Sequence, residues 1–497
     1  MTQAVAAPSR PKTLLDKLAY GFGSVAYGVK DNGFSFLLLL YYNQVIGVPA
    51  LIVSTALSVV LVIDAIVDPL IGYASDNTHS RWGRRHPWMY AAALPIALAW
   101  LALWMPPENL PDSAMFVYLV VVASSVRVLI SFYEIPATSL VTDLTRDYDE
   151  RTSFLSFRYF FGWYGGLTIF ILALYVLLTP TPEQPIGQLN QEGYYRYAIL
   201  GSVMMFVAIL VTAAGTHRHI PTFAPAPPKQ PFNIRRIFGE VFQALSHRPF
   251  LIMIGVAVFH YASAGLTAAM VTYVRTYFWG LTAAQIATVS LANFGSALVA
   301  LVLAPWIGKR LGKKRAAVWL NLIGIVWFPV IYILRFAGLL PPDGSDGLVA
   351  ALFGASLISV ILSVTGSILT ASMIADLIED SQLRTGRRDD GMFFSANSFA
   401  AQCASGLGLF LSGVILTVVN FPEGARPGQV SNDVLVRLMV AEIGVVAVLQ
   451  IISLGFLMLY PITRQRHAEN LRVLAERAAA AEEPAHMPAS GVGATAT

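Results

Sequence analysis

Two aspartates, Asp64 and Asp68, stand four residues apart inside an apolar run, Val62-Ile-Asp-Ala-Ile-Val-Asp-Pro69. On a helix that spacing puts both carboxylates on one face. Two ionised carboxylates in a low-dielectric setting repel, so they need a cation between them or a proton on one. That chemistry is an alkali-cation site or a proton carrier. The competing reading, a helix-end pair wetted at the membrane surface, fits the aliphatic surroundings poorly. Asp31 with Lys30 beside it, Glu134 and Arg158 are the next acids and base in apolar runs. Facing one chamber, carboxylates that accept and a guanidinium that offers a fork of donors can hold several hydroxyls. The same set could equally be an ion-pair network that fixes helix packing. Arg127 is open between ligand contact and structural pairing, and His260, alone among apolar residues, reads as a packing residue rather than a proton relay.

The elements that position these groups follow from composition. The chain has 497 residues, 56% hydrophobic and 12% charged, with mean hydropathy +0.62. A water-facing surface carries about 25% charge, so the bulk of this surface faces lipid, where charge is costly. Twelve apolar stretches of roughly 20 residues or more can cross a bilayer. They fall at 18–46, 50–75, 88–107, 113–141, 154–180 and 196–215, then at 249–278, 284–308, 315–338, 347–380, 391–420 and 433–462. The segment 1–17 reads as a polar N-terminus without a signal peptide, 216–248 as a Pro-rich linker between an 18–215 bundle and a 249–463 bundle, and 464–497 as a disordered tail. Net charge +4 does not indicate nucleic acid, because the basic residues sit in short inter-span loops. One set of loops holds nearly all of them, which places that set and both termini in the cytoplasm. The lone cysteine, Cys403, cannot form an intramolecular disulfide.

The halves resemble each other. Gly72-Tyr-Ala-Ser-Asp76 with Arg81-Trp-Gly-Arg-Arg85 returns as Gly308-Lys-Arg-Leu-Gly-Lys-Lys-Arg315. Ser139-Leu-Val-Thr-Asp143 with Asp147 and Arg151 returns as Ser372-Met-Ile-Ala-Asp376 with Asp380 and Arg387. A common offset of roughly 235 residues marks a parallel duplication, as in the two six-helix halves of the major facilitator fold. The expected fold is therefore an all-α membrane protein of twelve spans in two pseudo-repeats. Asp76, Arg84, Arg85, Asp143, Arg151, Asp376, Asp380, Arg387 and Arg388, at one set of helix ends, are candidates for ion pairs that lock an outward-facing state. They serve equally well as plain topology signals. No zinc, P-loop or nucleophile constellation is present, so neither an enzyme nor an ATP-driven pump is expected.

Leu18-Ala-Tyr-Gly-Phe-Gly23 with Lys30-Asp31, Asp64-Ala-Ile-Val-Asp-Pro-Leu-Ile-Gly72, Ser80-Arg-Trp-Gly-Arg-Arg-His-Pro-Trp88, Tyr133-Glu-Ile-Pro136, Phe157-Arg158 and Gly386-Arg-Arg-Asp-Asp-Gly391 resemble the glycoside–pentoside–hexuronide:cation symporters. The resemblance covers most of the membrane domain. It implies secondary, alternating-access symport of a sugar or glycoside with Na+, Li+ or H+ across a bacterial inner membrane, with no cofactor and no obligate protein partner. It assigns Asp64, Asp68 and the Ser131 hydroxyl to the cation, and Asp31, Glu134, Arg158, Thr138 and Gln402 to the substrate. Three positions depart from the family: Val67 stands for an asparagine, Thr138 for a stacking aromatic and Gln402 for a lysine. The missing asparagine and lysine shift the expected ion from Na+ towards H+. Relatives that carry lysolipids keep an amphiphilic or aromatic solute as the alternative, and a receptor or scaffold that moves nothing is the rival from another class.

Overall fold

The structure is a computed structural model that describes residues 13–145, 147–223, 239, 248–385, 390–462, 465–467, 469, 470, 472–474 and 476. Twelve helical crossings run through it, and among the described residues there is no strand. Eleven are continuous enough and apolar enough to cross a membrane: Ala50–Asp76, His86–Trp104, Asp112–Leu144, Asp149–Leu177, Gln191–His217, Arg248–Phe278, Ala283–Leu311, Lys313–Phe336, Asp346–Leu383, Phe393–Val418 and Asn432–Leu459. The first crossing, 14–45, is pieced together from Leu14–Phe22, Ser24–Asn32 and Leu38–Leu40 with π-helical turns at Gly33–Leu37 and Tyr41–Val45.

Helix ends overrun the apolar stretches because polar caps extend them. Thr13 caps the first crossing reciprocally with Asp16, and Asp147 caps the fifth through the Glu150 amide at 2.7 Å. Of the expected linker, only 216–223, Gly239 and Arg248 are described. Asp16 ties the two ends of the first bundle together, since Arg218 and His219 each donate to its Oδ1 at 2.6 Å.

Glycines set how closely the spans approach. A Cβ on Gly28 would lie 2.2 Å from the Gly162 carbonyl oxygen, and one on Gly166 would strike Gly28. The first and fifth spans therefore touch backbone to backbone. The eleventh span is wedged in the same way between the seventh and the second. Added atoms at Gly408 and Gly413 would lie 2.0 Å from the Ala262 carbonyl oxygen and 1.8 Å from the Ser54 hydroxyl. In lipid, close van der Waals contact of this kind is a main source of helix association.

The core shows where the halves join. One apolar cluster contains most of the first bundle and continues into the second through Tyr273, Tyr277, Phe278, Leu348, Phe421 and Met439. These residues lie towards the end of the bundle opposite the arginine-rich loops. At the basic end the second bundle has a core of its own, with Phe250, Ala317, Met373, Phe393 and Tyr460. The two halves are thus fused at one end and separate at the other. A Gly408→Val substitution is expected to destabilise the folded protein by about 1–3 kcal/mol through overpacking, while Gly324→Val, where an added Cβ meets nothing within 4 Å, leaves the unfolding midpoint in detergent unchanged. Equal midpoints for both variants would contradict the wedge.

Candidate functional site

The acids and bases of the first bundle converge from four spans. Asp64, 5% exposed, receives both the Nε and Nη2 of Arg127 on its Oδ2, at 2.8 and 2.7 Å. Ser131, one turn along from Arg127, reaches its Oδ1 at 3.5 Å. Arg127 is thus a charge partner of Asp64, which the residue pattern alone left open. Asp68, one turn towards the basic end, takes a different partner: Gln402 of the eleventh span donates to its Oδ2 at 3.1 Å. This contact crosses from one half to the other. The second carboxylate oxygen of Asp68 and the amide oxygen of Gln402 are both buried without a hydrogen-bond partner. Buried acceptors left this way are costly, and two of them side by side ask for a positive charge or a proton.

A second group opens towards the gap between the halves. Glu134 and Arg158 pair at 2.5 Å, and Arg158 also donates to the Glu134 carbonyl at 3.3 Å. Glu134 Oε2 and Arg158 Nη1 remain buried and unpartnered, so each keeps bonding capacity for a hydroxyl. Asp31 is more open: its side chain is 54% exposed, while neighbouring Lys30 is buried, 3.7 Å away and stacked over the Tyr27 ring at 4.1 Å. Thr138 turns its hydroxyl back onto the Glu134 carbonyl at 2.7 Å. Close packing makes this convergence possible, because Tyr133 and Thr212 occupy the space that any side chain at Gly23 would need. His260 stands apart from all of these and makes a ring contact with Tyr261.

The residues at the basic helix ends pair within each half. Arg84 and Arg85 clasp Asp143 at 2.7 and 3.1 Å, and Arg85 also reaches Asp76 at 3.0 Å. Arg151 donates to the Thr145 carbonyl at 3.3 Å. In the second half Lys313 holds Asp376 at 2.6 Å, while Arg466 and Asn470, from the expected tail, meet Asp380 at 3.2 Å. Asp143 and Asp376 lie 233 positions apart, so the same clasp recurs in both repeats. Arg387 and Arg388 lie outside the described residues. None of the described pairs at this end joins one half to the other.

The joining contacts are at the opposite end, and they are polar. Two π-helical turns, Tyr41–Val45 and Val274–Phe278, also 233 positions apart, face each other there. Tyr273 donates to Asn43 at 2.8 Å and Tyr277 to Gln44 at 2.9 Å. Gln44 further accepts from the Ala425 amide at 3.0 Å and donates to the Pro422 carbonyl at 3.1 Å. Gln188 completes the seal by donating to Thr276 at 3.2 Å and to the Leu281 carbonyl at 2.9 Å. The sequence reading did not single out these uncharged residues. The signal was available only as polar side chains at matching ends of the first and seventh stretches.

With this geometry established, comparison with known proteins decides the family. A model of the MFS/sugar transport protein family matches residues 19–464. The chain belongs to that family. An uncharacterized symporter of Synechocystis is 27% identical and covers 91% of this chain and 95% of its own length. The isoprimeverose transporter of Lactiplantibacillus pentosus is 26% identical over 83% of this chain and 82% of its own. Among solved structures, a bacterial homologue of the lysosomal transporter Spinster, inward-facing and unoccupied, superimposes with a TM-score of 0.63 at 11% identity, over 93% of this chain and 99% of that one. That likeness concerns the fold, which is the twelve-span major facilitator architecture. The named relatives are transporters and not enzymes.

The seal yields a prediction. In a Cys403→Ser background with a reporter cysteine at the buried Ala269, Gln44→Ala removes three contacts worth together about 3 kcal/mol. Alkylation of the reporter from the sealed side should rise about a hundredfold. An unchanged rate would show that Gln44 does not hold that end shut.

Proposed function

We propose that the protein takes up a sugar or glycoside together with one proton, by alternating access across a bacterial inner membrane with the basic end in the cytoplasm. The relatives support the solute class, since one is a transporter of isoprimeverose and another, 25% identical, is a putative glycoside/cation symporter of Escherichia coli. The loop charges support the orientation. The observation that carries the coupling ion is the unequal state of the two aspartates in the second span. Asp64 already has a guanidinium, whereas Asp68 has an amide donor from Gln402 and no ion pair of its own among the described residues.

Charge bookkeeping agrees. Lys30, Arg127 and Arg158 supply positive charge, and Asp31, Asp64, Asp68 and Glu134 supply negative charge, so with every group ionised the cluster has one excess negative charge. One proton on Asp68 removes it. A bare alkali ion would also balance the charge, but it needs a shell of oxygens, and beside Asp68 the two buried unpartnered ones are those of Asp68 and Gln402, with the Ser131 hydroxyl next to them. Solute binding falls to Asp31, Glu134 and Arg158, with Tyr27 beside them, on the side open to the gap. Gln402 is the link between ion and conformation, because its bond to Asp68 spans the two halves. Neutralising Asp68 changes the strength of that bond and so biases the equilibrium between the two access states.

In proteoliposomes with an imposed pH gradient, Asp68→Asn should abolish accumulation of labelled glycoside while solute exchange at zero gradient persists at about the wild-type rate. Uptake by the wild-type protein that is the same with and without proton and sodium gradients would refute coupling, and competition by amphiphiles but not by sugars would transfer the site to a lipid-like solute. The Asp64–Arg127 pair gives a separate test. Asp64→Asn strands a buried guanidinium and should lower stability by about 3–5 kcal/mol, and Asp64→Asn with Arg127→Gln should recover most of it. Failure of the double variant to recover stability would mean that the pair does more than balance charge.

A further inference from the structure

One buried acid plays no part in the cluster above. Glu442 lies in the third turn of the twelfth span, Asn432–Leu459, about 15 Å from the helix start at a rise of about 1.5 Å per residue, inside the apolar stretch that follows Arg437. It is 2% exposed, and its Oε2 is buried without a hydrogen-bond partner. No ion pair reaches it among the described residues. The twelfth span packs on the seventh, the ninth and, less extensively, the eleventh. From these, Tyr332 of the ninth span is within electrostatic range of both Glu442 and Arg275 of the seventh, and its ring packs on Phe278 of the turn that carries Arg275, centroids 5.9 Å apart. Arg275 itself donates to the Ser290 hydroxyl at 2.8 Å. An ionised carboxylate with no cation beside it and an orphan oxygen, at this depth, carries a desolvation cost that a proton removes.

We propose that Glu442 is a second proton-binding site of this transporter, located in the C-terminal half and separate from Asp68, and that it holds its proton in the conformation seen here. Arg275 gives the site a route to the transport cycle. It belongs to the π-helical turn whose neighbours Thr276 and Tyr277 hold the far end shut. Opening that end breaks the bonds of Thr276 and Tyr277 to the first half, and so changes the surroundings of the turn that carries Arg275 and its field at Tyr332 and Glu442. The proton on Glu442 is thereby linked to the seal, just as the proton on Asp68 is linked to Gln402. The site stands without the uptake reading, which supplies only what the proton is used for.

Infrared spectra of the purified full-length protein test this without any solute. Wild type at pH 7 should show the carbonyl band of a protonated carboxylic acid that Glu442→Gln lacks, and the band should persist in Asp68→Asn. Identical wild-type and Glu442→Gln spectra would overturn the proposal. Should the glutamine variant not fold, dicyclohexylcarbodiimide, which adds to protonated carboxyls in apolar surroundings, decides on the wild type. An adduct on the peptide carrying Glu442 at pH 7 supports the site, and no adduct there while other carboxyls are modified overturns it. In vesicles, Glu442→Gln should keep solute exchange and flatten the pH dependence of accumulation at least twofold, whereas a wild-type pH profile would detach Glu442 from the cycle.

Discussion

The contact on which the arrangement rests is the buried pair between Asp64 and Arg127. A carboxylate and a guanidinium locked together far from water cancel each other's charge, and removal of either leaves the other exposed to a low dielectric. Because Arg127 is committed to Asp64, Asp68 is left as the acid of the second span whose charge is unsettled. The pair therefore does more than fix the second span against the fourth. It makes two neighbouring, chemically identical side chains unequal, and in the proposed mechanism that inequality leaves Asp68 as the site that gains and loses a positive charge.

In the proposed cycle the rest of the molecule converts that charge into motion. Glycine contacts at Gly28, Gly166, Gly408 and Gly413 bring spans close enough for short side chains to meet, and they stiffen each bundle as a unit. Between the bundles the contacts are of another kind. The Asp68–Gln402 bond lies at mid-depth, and the Asn43, Gln44, Gln188, Tyr273 and Tyr277 network lies at the sealed end. Bonds between uncharged groups contribute about 1 kcal/mol each, so such a seal can be broken and remade within a transport cycle. The strong ion pairs described at the basic end, by contrast, lie inside each half, where Arg84, Arg85 and Lys313 clasp Asp143 and Asp376. Rigid halves joined by weak contacts are what a rocking mechanism needs.

Much of this was legible in the residues. Hydropathy gave twelve spans, and the repeated Gly-Asp-Arg segments gave the duplication, because both depend on side-chain chemistry at regular spacing. The acids that matter in the first bundle were visible as charges in apolar runs. What could not be read was partnership. Arg127 was open between ligand and structural roles until the second and fourth spans were seen side by side, and Gln402 became an inter-half bond only once the eleventh span was packed on the second. The seal was hidden for a further reason: polar uncharged residues such as Asn43 and Gln44 carry no strong signal at a span end. Glu442 could have been found by the rule that singled out Asp64, since it too is an acid in an apolar stretch, and nothing in its neighbourhood disguises it.

The central claim is that a charge deficit of one at Asp68 is made good by a proton that travels with the solute. The direct measurement is the pH of a lightly buffered, sodium-free suspension of proteoliposomes during downhill entry of the glycoside that gives the fastest labelled uptake. The account predicts that the medium turns alkaline as solute enters, with one proton lost from it per molecule taken up, and that Asp68→Asn vesicles admit solute by exchange without any pH change. Solute entry by the wild-type protein at constant external pH would contradict it.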